Sequence, residues 1–339
     1  MPIFMIGTQR SGSNMLRLML NQLGNIAAPH PPHILHRLMS VMPKYGDLQR
    51  DENFAMLVDD VCRLVELNPV PWEGVTLDRK KVAAHCRERS LVAVFGSVYQ
   101  AFADARNAET WLCKSMQNTL FLPEIDAYFR DGKYIYLYRD GRDVAVSFRK
   151  AVVGEKHFYH IAKEWAETQR LALQHRSRVP ADRFINVSYE ELTSQTEQTV
   201  RRLCAFLDVA YKPSMLEFHT SDEAKRAADS SALWHNVVKP VMSNNTRKFL
   251  KEASREDIEI FESVAGDVLD ALGYERVYVP RGEERKFTTR EIRLFDAENK
   301  RLKDEVLSGV DQEDLKRRDR QATLIAEIRN RQPTLARSA

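Results

Sequence analysis

Two short stretches of this chain bring together residues suited to holding phosphate-like anions. The first is Ile3-Phe4-Met5-Ile6-Gly7-Thr8-Gln9-Arg10-Ser11-Gly12-Ser13-Asn14-Met15-Leu16. Its apolar residues 3–6 read as a buried parallel strand, Gly7 breaks the run, and Met15, Leu16, Leu18, Met19 and Leu20 mark a helix beyond it. A strand, a glycine turn and a helix start leave unpaired N–H groups converging on one point, where the helix dipole adds positive potential. The spacing Gly7-x4-Gly12 matches the first half of a nucleotide P-loop, but Ser13 stands in place of the phosphate-binding lysine and Asn14 in place of the magnesium-holding Ser or Thr. Residues Arg10, Ser11, Gly12, Ser13 and Asn14 are therefore expected to hold an anion without a metal. In the second stretch, residues 136–148, a strand delivers Arg139 to its end, Gly141 permits a turn, and a helix carries Ser147 two turns along. Arg139 and Ser147 suit a second phosphate, bound by charge-assisted hydrogen bonds. Asp140 and Asp143 stand where a P-loop NTPase would place a metal ligand, although helix capping and pairing with Arg142 are the expected uses here.

The elements that must position these residues alternate strand with helix. Thr110-Trp111-Leu112-Cys113 reads as a short buried strand ending at Lys114, residues 133–138 as another ending at Arg139, and residues 183–187 as a fourth ending near Ser188 and Tyr189. A helix between them places Ile161, Trp165, Thr168 and Ala172 at helical spacing. This alternation predicts an α/β fold of three layers, a central parallel sheet between helices, with ligands at the strand C-terminal ends. Residues 37–105 read as a helical insertion over the upper edge of the sheet and as a source of acceptor-pocket residues. Ser254-Arg255-Glu256-Asp257 forms a capping-box pattern opening a helix that stops at Gly273.

Composition limits the partners. With 51 basic and 48 acidic residues the net charge of +3 is too small to argue for nucleic acid. No apolar run reaches membrane-spanning length, and the first strand begins at Ile3, so neither a membrane anchor nor a signal peptide is expected. The scattered cysteines Cys62, Cys86, Cys113 and Cys204 are expected to be packed and inert. Together these features predict a cytoplasmic protein.

At four places the chain resembles the sulfotransferases that use 3′-phosphoadenosine 5′-phosphosulfate (PAPS). Residues 8–13 resemble that family's 5′-phosphosulfate loop and residues 139–147 its 3′-phosphate motif. Val187-Ser188-Tyr189-Glu190-Glu191-Leu192, with the helix ending Phe206-Leu207, resembles its adenine-side segment. Asn245-Thr246-Arg247-Lys248-Phe249 resembles the basic segment that closes over the nucleotide. The resemblance implies a P-loop-like sulfotransferase fold, PAPS as donor with no metal, Tyr189 near the adenine, and Thr246, Arg247 and Lys248 on the donor. A sulfuryl group carries less negative charge than a phosphoryl group, so the amides of residues 10–14 with Arg10 and Lys114 suffice for charge growing on the leaving phosphate.

The family uses His or Glu as the base that removes the acceptor's hydroxyl or amine proton. Here Ala27-Ala28-Pro29-His30-Pro31-Pro32-His33 follows the first helix, which makes His30 and His33 the candidates; a metal site formed with His36 is a lesser alternative. His157 and His160 are expected to line or cover the acceptor pocket, and His235 beside Trp234 to be structural or on a lid. The acceptor remains open among sugar, lipid, natural product and peptide. An ATP-dependent small-molecule kinase is the alternative activity, and a scaffold with a vestigial nucleotide site a third. Residues 1–280 read as the sulfotransferase domain and residues 281–339 as a charged helical tail. In that tail Ile292, Phe295, Asn299, Leu302 and Val306 fall in a register that suits either a homo-oligomeric coiled coil or a helix packed on its own domain.

Overall fold

The computed structural model describes residues 1–230 and 232–332; residues 333–339 of the expected tail lie outside the described residues. Strands β1 (Ile3–Gly7), β2 (Ile26–Ala27), β3 (Thr110–Cys113), β4 (Lys133–Tyr138) and β5 (Phe184–Ser188) form a sheet in the order β2-β3-β1-β4-β5 with parallel neighbours. β1 sits at the centre because it is apolar on both sides, and it pairs Ile3 with Lys133 through Gly7 with Leu137. The longer helices are α1 (Ser13–Asn21), α2 (Asp51–Glu66), α3 (Leu91–Ala105), α4 (Gly141–Arg149), α5 (Phe158–Arg176), α6 (Thr196–Leu207), α7 (Asp222–Ser230), α8 (Arg255–Ala271), α9 (Thr289–Ser308) and α10 (Gln312–Asn330).

Alternation along β1 builds the layers. Ile3 and Met5 point to one face, where Leu16 and Leu20 of α1 and Val200 and Leu203 of α6 cover them. Phe4 and Ile6 point to the other, into an aromatic core with Phe95 and Tyr99 of α3, Trp111 and Tyr134. A third cluster joins α4, α5 and α8 through Val144, Trp165 and Phe261. Ser254 and Asp257 do form the capping box of α8, each side chain bonding the other's backbone N–H.

Residues 37–105 are mostly helical, as expected, and contribute both to the core and to the cavity described below. α2 and α3 are one of the sheet's packing layers, and only parts near residues 37–40 and 68–69 reach that cavity. β2 gave no periodic signal, since it is two residues long and exists by pairing Ile26 with Thr110 and Ala27 with Trp111. The four cysteines are unpaired; burial pushes Cys62 up to about 12 and Cys113 up to about 11, which keeps both thiols protonated and inert.

The tail packs on its own domain. Asn299 of α9 is buried, and its side-chain oxygen accepts from the backbone N–H groups of Lys156 at 2.8 Å and His157 at 3.0 Å. Phe295 stacks on His157 with ring centroids 4.5 Å apart. Phe295 and Asn299, two positions of the coiled-coil register, are thus engaged within the chain. His157 caps α5 and His160 pairs with Asp296 at 3.1 Å, so both face α9 and do not line the cavity, contrary to expectation. After a turn at Gly309 the chain enters α10, a helix with no clear apolar stripe in its sequence. Its Leu324 and Ile328 are buried in the α2–α3 layer, and Gln321 donates to the Leu64 carbonyl at 2.8 Å.

Candidate active site

The sheet order reverses its direction of growth at β1, with β3 on one side and β4 on the other, and ligands of open parallel sheets bind at the C-terminal end of such a strand. Gly7 ends β1 at φ +123°, where a Cβ would lie 2.2 Å from the Leu137 carbonyl oxygen. The loop then closes on Gly12 at φ +83°, the residue before α1, where a Cβ would lie 2.8 Å from the Tyr189 ring. No side chain caps α1, which leaves its first N–H groups open to a ligand. Arg10 is held at φ +70°, a strained conformation for a residue with a side chain.

Several polar atoms around this loop are buried with no partner among the described residues. They include the Ser11 hydroxyl, the Asn14 amide nitrogen and the Arg139 Nε. Asn14 is aimed by Arg17, whose Nε donates to its Oδ1 at 2.9 Å and so directs the amide N–H₂ the other way. Ser13 and Asn14 both line the cavity.

Arg10 and Arg139 meet beside the loop. Arg10 Nε donates to Ser147 Oγ at 3.0 Å, and Arg139 donates to the Arg10 carbonyl at 3.0 Å and to the Asn245 carbonyl at 2.5 Å. The Arg139 guanidinium also lies 4.3 Å above the Tyr189 ring. Burial first, then the charge of Arg139, pushes the Arg10 guanidinium below its ordinary value. One carboxylate lies near: Asp143 Oδ2, 3.6 Å from Arg139. Asp143 also accepts the N–H groups of Arg247 at 2.7 Å and Phe249 at 3.0 Å, while Asp140 caps α4 and pairs with Arg142. Both aspartates hold backbone and arginine.

The segment after Asn245 is brought to the site unevenly. Asn245 Nδ2 donates to the Tyr189 hydroxyl at 2.8 Å and Lys248 lines the cavity. Arg247 is exposed, at φ +55°, and neither it nor Thr246 reaches the cavity, so the grouping of Thr246, Arg247 and Lys248 reduces to Lys248.

His30, His33 and Lys114 line the opposite wall. Both His30 ring nitrogens are buried with no hydrogen-bond partner, and the ring meets the edge of Trp234 at 4.5 Å. The His30 loop is clamped through its backbone: its carbonyl accepts from Trp72 at 2.7 Å and Asn68 at 2.9 Å. His33 shares a 2.8 Å hydrogen bond through Nδ1 with Ser115 Oγ. Burial, then the charge of Lys114, holds both imidazoles well below the ordinary histidine value, hence neutral. Burial, then Arg17 and Arg10, lowers Lys114 to about 7. Among the described residues no group of three or more His, Cys, Asp or Glu is placed to hold a metal ion, so His30, His33 and His36 do not form one.

Arg17 was not anticipated. It is fully buried on α1 and donates to Asn14, to the Ala28 carbonyl at 2.6 Å and to Glu223 of α7, tying the anion loop to the histidine loop. An arginine within the apolar run of α1 was the available signal. The enclosing cavity measures about 1800 Å³, more than the roughly 300–1000 Å³ typical of one small-ligand pocket. His235 lies on its wall, and Lys150 to Val153 form another part.

Known proteins similar to this chain include sulfotransferases. The model of the sulfotransferase family matches residues 2–213. Protein-tyrosine sulfotransferase A of Caenorhabditis elegans is 21% identical over 289 residues, covering 80% of this chain and 67% of that protein. The protein-tyrosine sulfotransferase of Drosophila melanogaster is 20% identical over 284 residues, covering 80% of this chain and 51% of that protein. This chain thus spans about two thirds of one relative and about half of the other. In fold it is similar to the sulfotransferase domain from the curacin biosynthetic pathway, with a TM-score of 0.58 at 21% identity over 81% of this chain and 98% of that domain. It is also similar to the sulfotransferase domain of the Synechococcus PCC 7002 olefin synthase, with a TM-score of 0.53 at 19% identity over 78% of this chain and 94% of that domain. Among the described residues no helix is long and apolar enough to cross a membrane.

Proposed function

This chain belongs to the sulfotransferase family, and from that premise we propose that it moves a sulfuryl group from PAPS to the hydroxyl of an acceptor held in the same cavity. The observation that carries the donor assignment is the set of buried, unpartnered donors on Ser11, Asn14 and Arg139 around two crowded guanidinium groups. Such atoms cost stability unless a ligand satisfies them, and a doubly phosphorylated adenosine supplies acceptors of the right charge.

In this reading the donor, when bound, supplies an activated sulfuryl group on a phosphate leaving group. The open N–H groups at the start of α1, with Ser11, Ser13, Asn14 and Arg10, hold the 5′ end. Arg139 and Ser147 hold the 3′-phosphate, and Tyr189, packed between Gly12 and Arg139, forms the floor beside the adenosine. Lys248 adds charge at the rim. Lys114 neutralises charge on the phosphate side as the bond to sulfur breaks. His30 removes the acceptor hydroxyl proton: its imidazole is neutral, and both nitrogens lack a partner that would compete. His33, with one nitrogen bonded to Ser115, is the alternative base. The loop has no lysine at Ser13 and no hydroxyl at Asn14 for magnesium, so the proposed chemistry runs without a metal. The kinase alternative finds no support in the comparisons.

The test is calorimetric titration with 3′-phosphoadenosine 5′-phosphate in EDTA, beside ATP with magnesium. Micromolar binding of the first and none of the second is expected. ATP binding that depends on magnesium, with no binding of the bisphosphate, overturns the reading.

A further inference from the structure

α1 carries a polar stripe. Asn14, Arg17 and Asn21 recur three and four residues apart, which stacks them on one face of the helix. Of the three, only Asn14 lines the cavity. Arg17 and Asn21 make a double bridge behind it. Arg17 donates to the Ala28 carbonyl at 2.6 Å and to Glu223 Oε1, while Asn21 accepts the Ala28 N–H at 2.9 Å and donates to Glu223 Oε2 at 2.5 Å. Both backbone groups of Ala28 and both oxygens of one carboxylate on α7 are thereby tied to α1. Ala28 lies two residues before His30, whose own carbonyl is clamped by Trp72 and Asn68. Pro29 and Pro31 fix φ on either side of His30, so the histidine is held on a stiff segment between two anchors. Beyond α7 the chain returns to the site at Trp234, whose ring meets His30.

Packing alone does not require a guanidinium at this position. Arg17 is fully buried, and its Nη2 has no hydrogen-bond partner among the described residues. A buried cation with an unmet donor costs stability that an apolar side chain on α1 would not. What Arg17 adds is direction. Its Nε can only donate, so the Asn14 amide must turn Oδ1 toward it and its N–H groups elsewhere. We propose that Arg17 is a positioning residue for sulfuryl transfer, which registers the donor loop against the loop of the base through Asn14 and Ala28, with Glu223 of α7 locking it in place. The inference rests on the sulfuryl-transfer reading above and deepens it. A phosphate oxygen bound by the Asn14 amide restrains that side chain, and Arg17 passes the restraint to Ala28 and to α7. Linkage makes such coupling reciprocal, so Glu223 influences donor affinity although it does not line the cavity.

The experiment titrates 3′-phosphoadenosine 5′-phosphate into the full chain and into its Arg17→Lys, Asn14→Ala and double variants. Lysine keeps the charge and loses the planar fork. Each single variant should bind about tenfold or more weakly, and the double variant should stay within about twofold of Asn14→Ala, because Arg17 acts on the donor through that amide. Losses that add in the double variant, or an Arg17→Lys chain that binds as the unaltered chain does, overturn the inference. Hydrogen exchange reads the other side of the bridge. Saturating bisphosphate should slow exchange at Ala28 and across α7 by about fivefold or more in the unaltered chain and leave Arg17→Lys unchanged. Equal slowing in both chains, or none in either, overturns the inference as well. Should Arg17→Lys misfold, Glu223→Gln carries the same test from α7: bisphosphate affinity should fall by about fivefold, and an unchanged affinity overturns the coupling. Absence of bisphosphate binding in the unaltered chain instead overturns the parent reading, and this inference with it.

Discussion

At the residue scale the site is governed by how many positive groups are buried together. Lys114 sits near Arg10 and Arg17, and its ammonium titrates near 7 because burial and those charges oppose it. A bound phosphate or sulfate reverses that pressure, since an opposite charge restores the protonated form. Donor binding at pH 8 should therefore take up close to one proton, and affinity should fall as pH rises above 7. Below pH 6 the lysine is already charged and no uptake is expected. Calorimetry in buffers of different ionisation enthalpy measures this directly, and Lys114→Met should abolish the uptake. The histidines carry the opposite sign. A group whose value is lowered stays neutral until the pH falls further, so the acid limb of kcat/KM should lie well below 6.5. His30→Ala should lower kcat by about two to four orders of magnitude with donor affinity unchanged. A deeper loss in His33→Ala reassigns the base to that residue.

At the scale of single elements, the turn between β1 and α1 depends on one glycine more than on any side chain. Gly12 combines a left-handed backbone with the Tyr189 ring packed against it, so a methyl group there meets both strain and a clash. Gly24 has nearly the same backbone, at φ +80°, but nothing within 4 Å of its would-be Cβ. Gly24→Ala should cost about 1–2 kcal/mol in stability and leave donor binding alone. Gly12→Ala should cost at least as much and weaken the binding of 3′-phosphoadenosine 5′-phosphate by about tenfold or more, because the N–H groups of the loop move with it. Chemical denaturation and titration on the two variants separate the effects. The helix α4 shows the same economy of position. Its first-turn Asp143 aims Arg139 from one side and anchors the backbone of Arg247 and Phe249 on the other.

For the whole molecule, the tail adds residues of α9 and α10 to the lining of the cavity and is anchored on the main domain. Asp60 is its landing point: buried on α2, it accepts from Tyr45 at 3.0 Å and pairs with Arg63 and Arg331. Asp60→Asn should loosen α10 without unfolding the sheet, since breaking a buried pair of this kind costs on the order of 1–3 kcal/mol. Hydrogen exchange should become at least about tenfold faster across α10, while β1 and β4 remain protected. Equal acceleration in the sheet would show instead that the tail and the domain open as one unit.

Local signals determined much of this protein from sequence alone. β1, β3 and β4 lie where apolar runs and glycine or basic ends place them, because buried parallel strands must be apolar on both faces and strand ends must be polar. The capping box at Ser254 was equally legible, since a cap is a four-residue pattern. The resemblance to the family was carried by four short segments, the glycine loop of residues 8–13 among them. Only the tertiary structure decided the rest. Arg17 joins two loops through residues that lie far apart in the chain, Glu223 among them. The packing role of α2 and α3, and the turning of His157 and His160 toward α9 and away from the cavity, depend on which faces meet. α10 shows no strong apolar stripe, and it becomes a wall because the core accepts two of its residues, Leu324 and Ile328. Burial and charge crowding are properties of neighbours in space, and spacing along the chain does not encode them.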